Sequence, residues 1–323
     1  MNIGALVKKI RDNSVLRVLT YPIARMCYFL LAKYAERHPV SYPSHNHKWK
    51  YGRPLDLENP RSLHEKIYWM LYNTDTSMWT RLTDKVAVRD YVKQLGLEHI
   101  LNEVYSVYDY IPDIQTLFQN LPNSFVIKTS HSGGGHGVFV VPNANAIDKD
   151  RIYHKLKKAF RDEYGKRTGQ PHYEMIKPRI IVEKYLVNDI DENLTLPDYK
   201  FFCFHGEPQL ILCVANRNIE KHTYCLHYYT LDWQRIHWDK KDLGPDLVPP
   251  KSLDEMIVIA KKLSQPFAFV RVDLYEVGGK PIFGEMTFTP GFDGLLGTYG
   301  ENVLGLGSRI DLSKVDMEPK TSC

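Results

Sequence analysis

The stretch from Ser124 to Val141 constrains the fold most. Ser124-Phe-Val-Ile-Lys128 and Val138-Phe-Val-Val141 are short apolar segments, and Thr-Ser-His-Ser-Gly-Gly-Gly-His-Gly137 stands between them. β-Branched and aromatic residues favour strands, and glycine this dense cannot continue a helix, so the segment predicts strand, loop, strand. Four glycines and two serines within Ser130–Gly137 let backbone N–H groups converge on a phosphate, and Lys128 ends the preceding strand within reach of one. This is not a Walker loop, because no Lys-Ser/Thr pair follows Gly137. Nor is it a dinucleotide fingerprint, because a strand rather than a helix follows. Taken alone, the loop fits a plain flexible hairpin equally well.

Around this motif the chain alternates between helical and strand patterns. Leu63, Ile67, Met70 and Leu71 share a helical face over 61–73. Thr83 is placed to cap a helix that starts at Asp84 and closes near Gly96, and 97–110 predicts loop, short strand, loop. A charged helix is expected over 146–168 and a buried strand over Arg179–Leu186. Antiparallel strands are expected at Tyr199–Phe204, Pro208–Ala215 and Thr223–Thr230, then a helix at Leu253–Leu263. Strands at Phe269–Tyr275 and Pro281–Met286 follow, joined by the turn Val277-Gly-Gly-Lys280. Helices mixed with antiparallel hairpins predict an α+β fold in lobes. The expected divisions are a helical arm (1–57), a first lobe (58–120), a small lobe with the glycine loop (121–187), a large lobe (188–311) and a tail (312–323).

Composition narrows the class. Five scattered cysteines without a C-x-x-C pair argue against a disulfide framework and a cysteine-rich zinc site, and favour a reducing cytosol. A net charge of +4 carries no argument for nucleic acid. Val15–Tyr34 is apolar but broken by Arg17, Pro22, Arg25 and Lys33, which predicts an amphipathic helix on the protein body, or one lying on a membrane, rather than a span. The 21 tyrosines suit core packing or a carbohydrate-contacting cleft. His45 and His47 stand in a polar connection, His38 to Pro54, where they could bind a metal but are expected to be solvated loop side chains.

Three groupings bear on chemistry. Arg271 and Asp273 share one strand face, and pairing about Gly278-Gly279 brings Glu285 close to Asp273. Facing carboxylates repel unless a cation lies between them; hard oxygens suit Mg²⁺, and an adjacent arginine suits a developing anion, although a surface ion-pair cluster uses the same residues. Asp198 and Lys200 flank Tyr199 on a common face, as a site pair or an internal ion pair. Glu183 ends an apolar strand where a hinge opens.

In this order the pieces resemble the ATP-grasp fold of the D-alanine–D-alanine ligases. That resemblance implies two α+β lobes holding Mg-ATP between them. It makes Lys85 and Lys128 ATP-contacting, with Ser132, Gly133, Gly134, Gly135 and Gly137 as the loop over the phosphates and Lys200 nearby. Glu183, Lys184, Tyr185 and Leu186 would contact adenine, Asp273, Glu285 and Thr287 the metal, and Arg271 with Lys128 would be catalytic. Those ligases carry Asn two residues after the glutamate. Here Thr287 stands, a weaker ligand.

The chain is similar more closely to the TupA-like family of ATP-grasp proteins from bacterial polysaccharide loci, over roughly 58–310. The shared motifs are Leu63-His-Glu-Lys-Ile-Tyr-Trp69, Leu82-Thr-Asp-Lys85 with Arg89, Phe125-Val-Ile-Lys128, Asp198-Tyr-Lys-Phe-Phe-Cys-Phe-His-Gly206, Phe269-Val-Arg-Val-Asp-Leu-Tyr275 and Gly284-Glu-Met-Thr-Phe288. The similarity implies a cytoplasmic ATP- and Mg²⁺-dependent carboxylate–amine ligase that joins a small amine to a uronic acid, without nucleic acid. It extends to peripheral membrane association and to substrate contacts from Arg89, Asp198 and His205. Two other readings stand beside it: a sugar-nucleotide glycosyltransferase using Asp189-Ile-Asp191, and a non-catalytic ATP-binding subunit of polysaccharide assembly.

Overall fold

The computed structural model describes residues 33–34, 37–188, 195–218, 223–237, 246–291 and 304–315. Most of the apolar stretch Val15–Tyr34 and the Asp189-Ile-Asp191 motif lie outside the described residues. Among those described, no helix is long and apolar enough to cross a membrane.

Helix α1 (Ser41–Tyr51) stands where a polar connection was expected, and ends on Gly52 in the left-handed conformation. Helix α2 (Leu63–Asn73) starts on a capping box. The Ser62 hydroxyl accepts from the Glu65 N–H while Glu65 accepts from the Ser62 N–H, which satisfies two free donors of the first turn. Helices α3 (Ser77–Thr83) and α4 (Val88–Gln94) follow. Thr83 therefore does not cap the next helix: it is buried in the last turn of α3. The Asp84 carboxylate makes the turn instead, accepting from the Val86 and Ala87 N–H groups at 2.9 and 3.4 Å.

The smaller sheet has the order β1-β4-β2-β3, from β1 (Val104–Tyr108), β2 (Phe125–Thr129), β3 (Val138–Val141) and β4 (Ile180–Lys184), all antiparallel. The strand at 104–108, expected in the first lobe, thus belongs to the sheet of the glycine loop. Phe125 and Ile127 of β2 and Ile180 and Val182 of β4 pack with Leu117 of α5 (Ile114–Phe118) and Leu156 of α6 (Lys149–Phe160). Side-chain alternation then turns Lys128 and Glu183 to the opposite face. The single helix expected over 146–168 is broken at 161–163. After that break come α7 (Tyr164–Thr168), closed by left-handed Gly169, and the short α8 (Pro171–Glu174).

The larger sheet runs β10-β9-β5-β6-β7-β8, from β5 (Asp198–Phe204), β6 (Glu207–Asn218), β7 (Thr223–Tyr229), β8 (Arg235–Ile236), β9 (Phe269–Val277) and β10 (Lys280–Thr287). Helix α9 (Leu253–Ser264) contributes Met256, Ile259, Ala260 and Leu263 to its core. Leu63, Ile67, Leu71, Leu82 and Val92 of α2, α3 and α4 belong to the same core. The segment read as a separate first lobe is therefore split: its helices pack with the large sheet and its strand joins the small one.

Candidate active site

A cleft of about 730 Å³ is lined by residues from both sheets, the glycine loop and α1. The large sheet supplies its charged floor. In β9 and β5, alternation places Arg271, Asp273, Asp198 and Lys200 on one face, with Lys200 directly across from Asp273. Arg271 Nε and Nη2 donate to the two oxygens of Asp273, both at 2.7 Å, and Lys200 Nζ donates to Asp273 Oδ2 at 2.5 Å. Lys200 also meets Asp198 Oδ2 at 2.5 Å, while Asp198 Oδ1 is buried without a partner.

A bulge completes the floor. The register of β10 on β9 slips after Phe283, so Glu285 lies opposite Asp273 and Thr287 opposite Arg271. A Cβ on Gly284 would come within 2.9 Å of the Asp273 carbonyl. Arg271 Nη2 reaches Glu285 Oε1 at 3.2 Å and Thr287 Oγ1 at 3.1 Å, and the Thr287 hydroxyl donates to Glu285 at 3.1 Å.

The electrostatics follow from burial and pairing. Burial favours the neutral form of Glu285, but Arg271, Lys200 and Lys85 outweigh it and hold the carboxyl at about 2. Burial opposes charge on Arg271 too, yet its carboxylate partners hold it above its ordinary range. Burial pushes the Asp273 carboxyl upward, against the pull of Arg271 and Lys200, whose N–H groups reach both of its oxygens.

The small lobe supplies the opposite wall. Lys128 Nζ contacts Glu183 Oε2 at 2.5 Å, and Arg89 reaches Glu183 Oε1 at 3.6 Å. Lys85 Nζ donates to the Ser132 carbonyl at 2.5 Å, and burial holds this lysine below its usual range. The neighbouring Asp84 pairs with Arg179 at 2.5 Å, fixing the α3–α4 turn against the small sheet. The loop itself is internally tied. Thr129 Oγ1 and Ser132 Oγ lie 2.7 Å apart, and Ser132 Oγ donates to the His136 carbonyl at 2.7 Å.

Most of the residues singled out in sequence meet in this cleft: Lys85, Arg89, Lys128, Ser132 to Gly135, Glu183, Asp198, Lys200, Arg271, Asp273, Glu285 and Thr287. Five do not line it. Gly137 closes the hairpin from behind, where a Cβ would sit 2.1 Å from Thr129 Oγ1. Lys184, Tyr185 and Leu186 follow the lining residue Glu183 but are not themselves among the lining residues. The Lys184 N–H donates to the Glu103 carbonyl at 3.0 Å and its carbonyl accepts from Asn102 at 2.9 Å. His205 occupies a turn with φ 48° at the far end of β5, where its Nε2 accepts from the Asp311 N–H at 2.9 Å. It is not among the residues that line the cleft. Sequence motifs missed the lining residues Tyr42, Asn46, Trp49, Tyr164, Gln170 and Tyr173; the high tyrosine content was their one trace.

The profile of the TupA-like ATP-grasp family matches residues 65–299 of the 323. The chain belongs to that family. The TupA-like chain accordingly has the ATP-grasp fold and is an ATP-dependent ligase, with ATP and Mg²⁺ as cofactors. No curated protein matches it. Among solved structures it is similar to D-alanine–D-alanine ligase from Helicobacter pylori, at 16% identity over 77% of this chain and 69% of that one, TM-score 0.44. It is also similar to the ATP complex of the Bacillus anthracis enzyme (14%, 77% and 71%, TM-score 0.41). The ADP complex of Staphylococcus aureus N5-carboxyaminoimidazole synthetase is another, at 15% over 68% of this chain and 48% of that one, TM-score 0.37. These likenesses add nothing to the family membership.

The floor suits the metal of that family. Among the described residues no group of three or more His, Cys, Asp or Glu side chains forms a metal cage. Mg²⁺ does not need one, since one or two carboxylates with phosphate and water complete its shell. Asp273 and Glu285 meet around one guanidinium, and the Glu285 side chain is 44% exposed to the cleft. Two hard carboxylates, one of them open, fit such an ion.

Proposed function

We propose that this chain forms an amide between a sugar carboxylate and a small amine, at the cost of one ATP per bond, in the assembly of a bacterial cell-surface polysaccharide. The observation that supports the chemistry most is the facing of two charge sets across one cleft. Lys85, Lys128 and the glycine loop stand on one side; Arg271, Lys200, Asp273 and Glu285 stand on the other. The uronic acid and the polysaccharide setting come from the motifs shared with the TupA-like family and from the uncharged aromatic part of the cleft. The cytoplasm, where ATP is plentiful, is the proposed location, with the inner membrane face as the place where a growing glycan is met.

Asp273 and Glu285, with Thr287 orienting Glu285, would hold the metal. Bound Mg-ATP supplies the phosphoryl group that makes a carboxylate a good acyl donor. Lys85, Lys128 and the Ser132–Gly135 backbone bind the phosphates, and the loop excludes water from the acyl phosphate. Arg271 is fixed by bonds to Asp273, Glu285 and Thr287, so its remaining N–H groups are aimed before the reaction begins. It stabilises the oxyanion that forms when the free amine attacks.

The test supplies uronosides with a panel of amino acids and amino alcohols, and follows ADP and product mass. A product heavier by the amine less water, formed with equimolar ADP, is the expected result. Sugar transfer with release of UDP and no use of ATP would instead establish the glycosyltransferase reading.

A further inference from the structure

Part of the cleft is unused by the phosphate-handling groups. Helix α1 turns Tyr42, Asn46 and Trp49 into it, at spacings of four and three residues that share one helical face. Tyr164, Gln170 and Thr289 line the same cleft. Thr289 Oγ1 donates to Gln170 Oε1 at 2.5 Å, and Gln170 hydrogen-bonds Tyr164. These six side chains carry no ionised group. They offer aromatic faces, hydroxyls and amides.

The helix is held in place rather than loosely appended. Its other face buries His47, whose Nδ1 lies 2.7 Å from the Arg53 carbonyl. Just before it, the Pro39 carbonyl presses on Gly169, where a Cβ would sit 2.0 Å from that oxygen. The Tyr72 hydroxyl lies 2.7 Å from the Gly169 carbonyl and 3.1 Å from that of Pro39. Yet Trp49, on this fixed helix, is 83% exposed. With Tyr42 and Tyr164 lining the same cleft, this exposed indole presents an open aromatic face to whatever enters.

The chemistry of the wall selects among ligands. An amino acid needs charged partners for its ammonium and carboxylate. A pyranose instead lays its C–H face on an aromatic ring and exchanges hydrogen bonds between its hydroxyls and neutral amides and hydroxyls. We infer that α1, which precedes the family-matched residues 65–299, is the specificity wall of the enzyme. Trp49 is the platform for the saccharide ring of the acid, and Asn46 and Gln170 order its hydroxyls. This rests on the proposal that the acid is a sugar carboxylate.

Saturation-transfer NMR on the Mg-ADP-bound protein tests it, with D-glucuronate, D-galacturonate and methyl β-D-glucuronide as probes and D-alanine as comparison. Ring protons of at least one uronoside should receive saturation in the wild type. Trp49→Ala should weaken that binding about tenfold, the scale of one lost stacking contact, and Trp49→Phe should restore most of it. The thermal shift given by Mg-ADP should be the same in all three proteins, showing that the fold and nucleotide site are intact. Uronosides that bind Trp49→Ala as well as wild type, that fail to bind wild type, or that bind more weakly than D-alanine overturn the inference. Trp49-dependent binding with no ADP release for any uronoside–amine pair would leave the saccharide wall standing and remove the ligase proposal.

Discussion

Asp273 and Glu285 carry the same charge in different surroundings, and their replacement should differ accordingly. The Asp273 side chain is 2% exposed and takes N–H groups from Arg271 and Lys200, whereas that of Glu285 is 44% exposed at the cleft. Removing one member of a buried charge group strands the others, at about 3–5 kcal/mol. Asp273→Asn should therefore lower the melting temperature as well as abolish turnover. Glu285→Gln should cut kcat by about a hundredfold or more while melting near the wild type. Thermal melts beside ADP-release kinetics decide this, and an Asp273→Asn protein as stable and active as wild type would refute the reading of the floor. Arg271→Lys tests the same cluster. It keeps the charge but loses the planar fork that binds Asp273, Glu285 and Thr287 together, so kcat should fall far more than the KM for ATP changes. These charged residues were legible in sequence because charge inside an apolar strand is conspicuous. Trp49 and Gln170 were not, because an uncharged side chain carries no such mark.

Among the elements, the β9–β10 hairpin shows what pattern alone leaves open. A regular two-residue turn pairs Val277 with Lys280 and Phe283 with Leu274. Continued unbroken, that register would set Glu285 against Val272, whose side chain lies in the core. The extra residue Gly284 shifts the register by one and turns Glu285 to the face of Asp273. Strand alternation predicted Arg271 and Asp273 together, and the expected nearness of Glu285 to Asp273 holds too, but through a bulge that the pattern did not show. Similarly, Thr83 has the chemistry of a helix cap, but it closes α3, and the Asp84 carboxylate makes the turn before α4 while also reaching Arg179. The glycine loop yields the prediction that belongs to this scale. Its base, Ser130 to Ser132, is buried, but Gly134, Gly135 and His136 at its tip are exposed, so the tip should open readily to admit nucleotide. Amide exchange across Ser130–Gly137 should slow on adding a non-hydrolysable ATP analogue with Mg²⁺. Exchange unchanged by the analogue would make the loop an ordinary hairpin.

At the scale of the molecule, each sheet has its own hydrophobic core, and the cleft is lined from both at the seam between them. Helix α8 lies at that seam. Its His172 is 1% exposed, with Trp79 of α3 edge-on at 5.9 Å, Tyr173 at 4.5 Å and Thr289 Oγ1 at 3.5 Å from Nε2; Nδ1 has no partner. Nothing there stabilises an imidazolium, and burial lowers the group from 6.5 to about 3. The unfolded chain therefore takes up a proton as pH falls below 6.5, while the folded chain does so only near 3. This contribution to stability is complete above the unfolded value and is lost as pH falls between the two, at about 1.4 kcal/mol per pH unit. His47 and His131, also lowered by burial, act in the same direction. His172→Phe keeps an aromatic ring at the seam and removes the titration. Urea unfolding near pH 7 and pH 5 should show the wild type losing stability on acidification, and the variant losing about 2 kcal/mol less of it. Equal losses in the two proteins would mean that His172 finds a partner for its proton, and that the seam opens before the cores do.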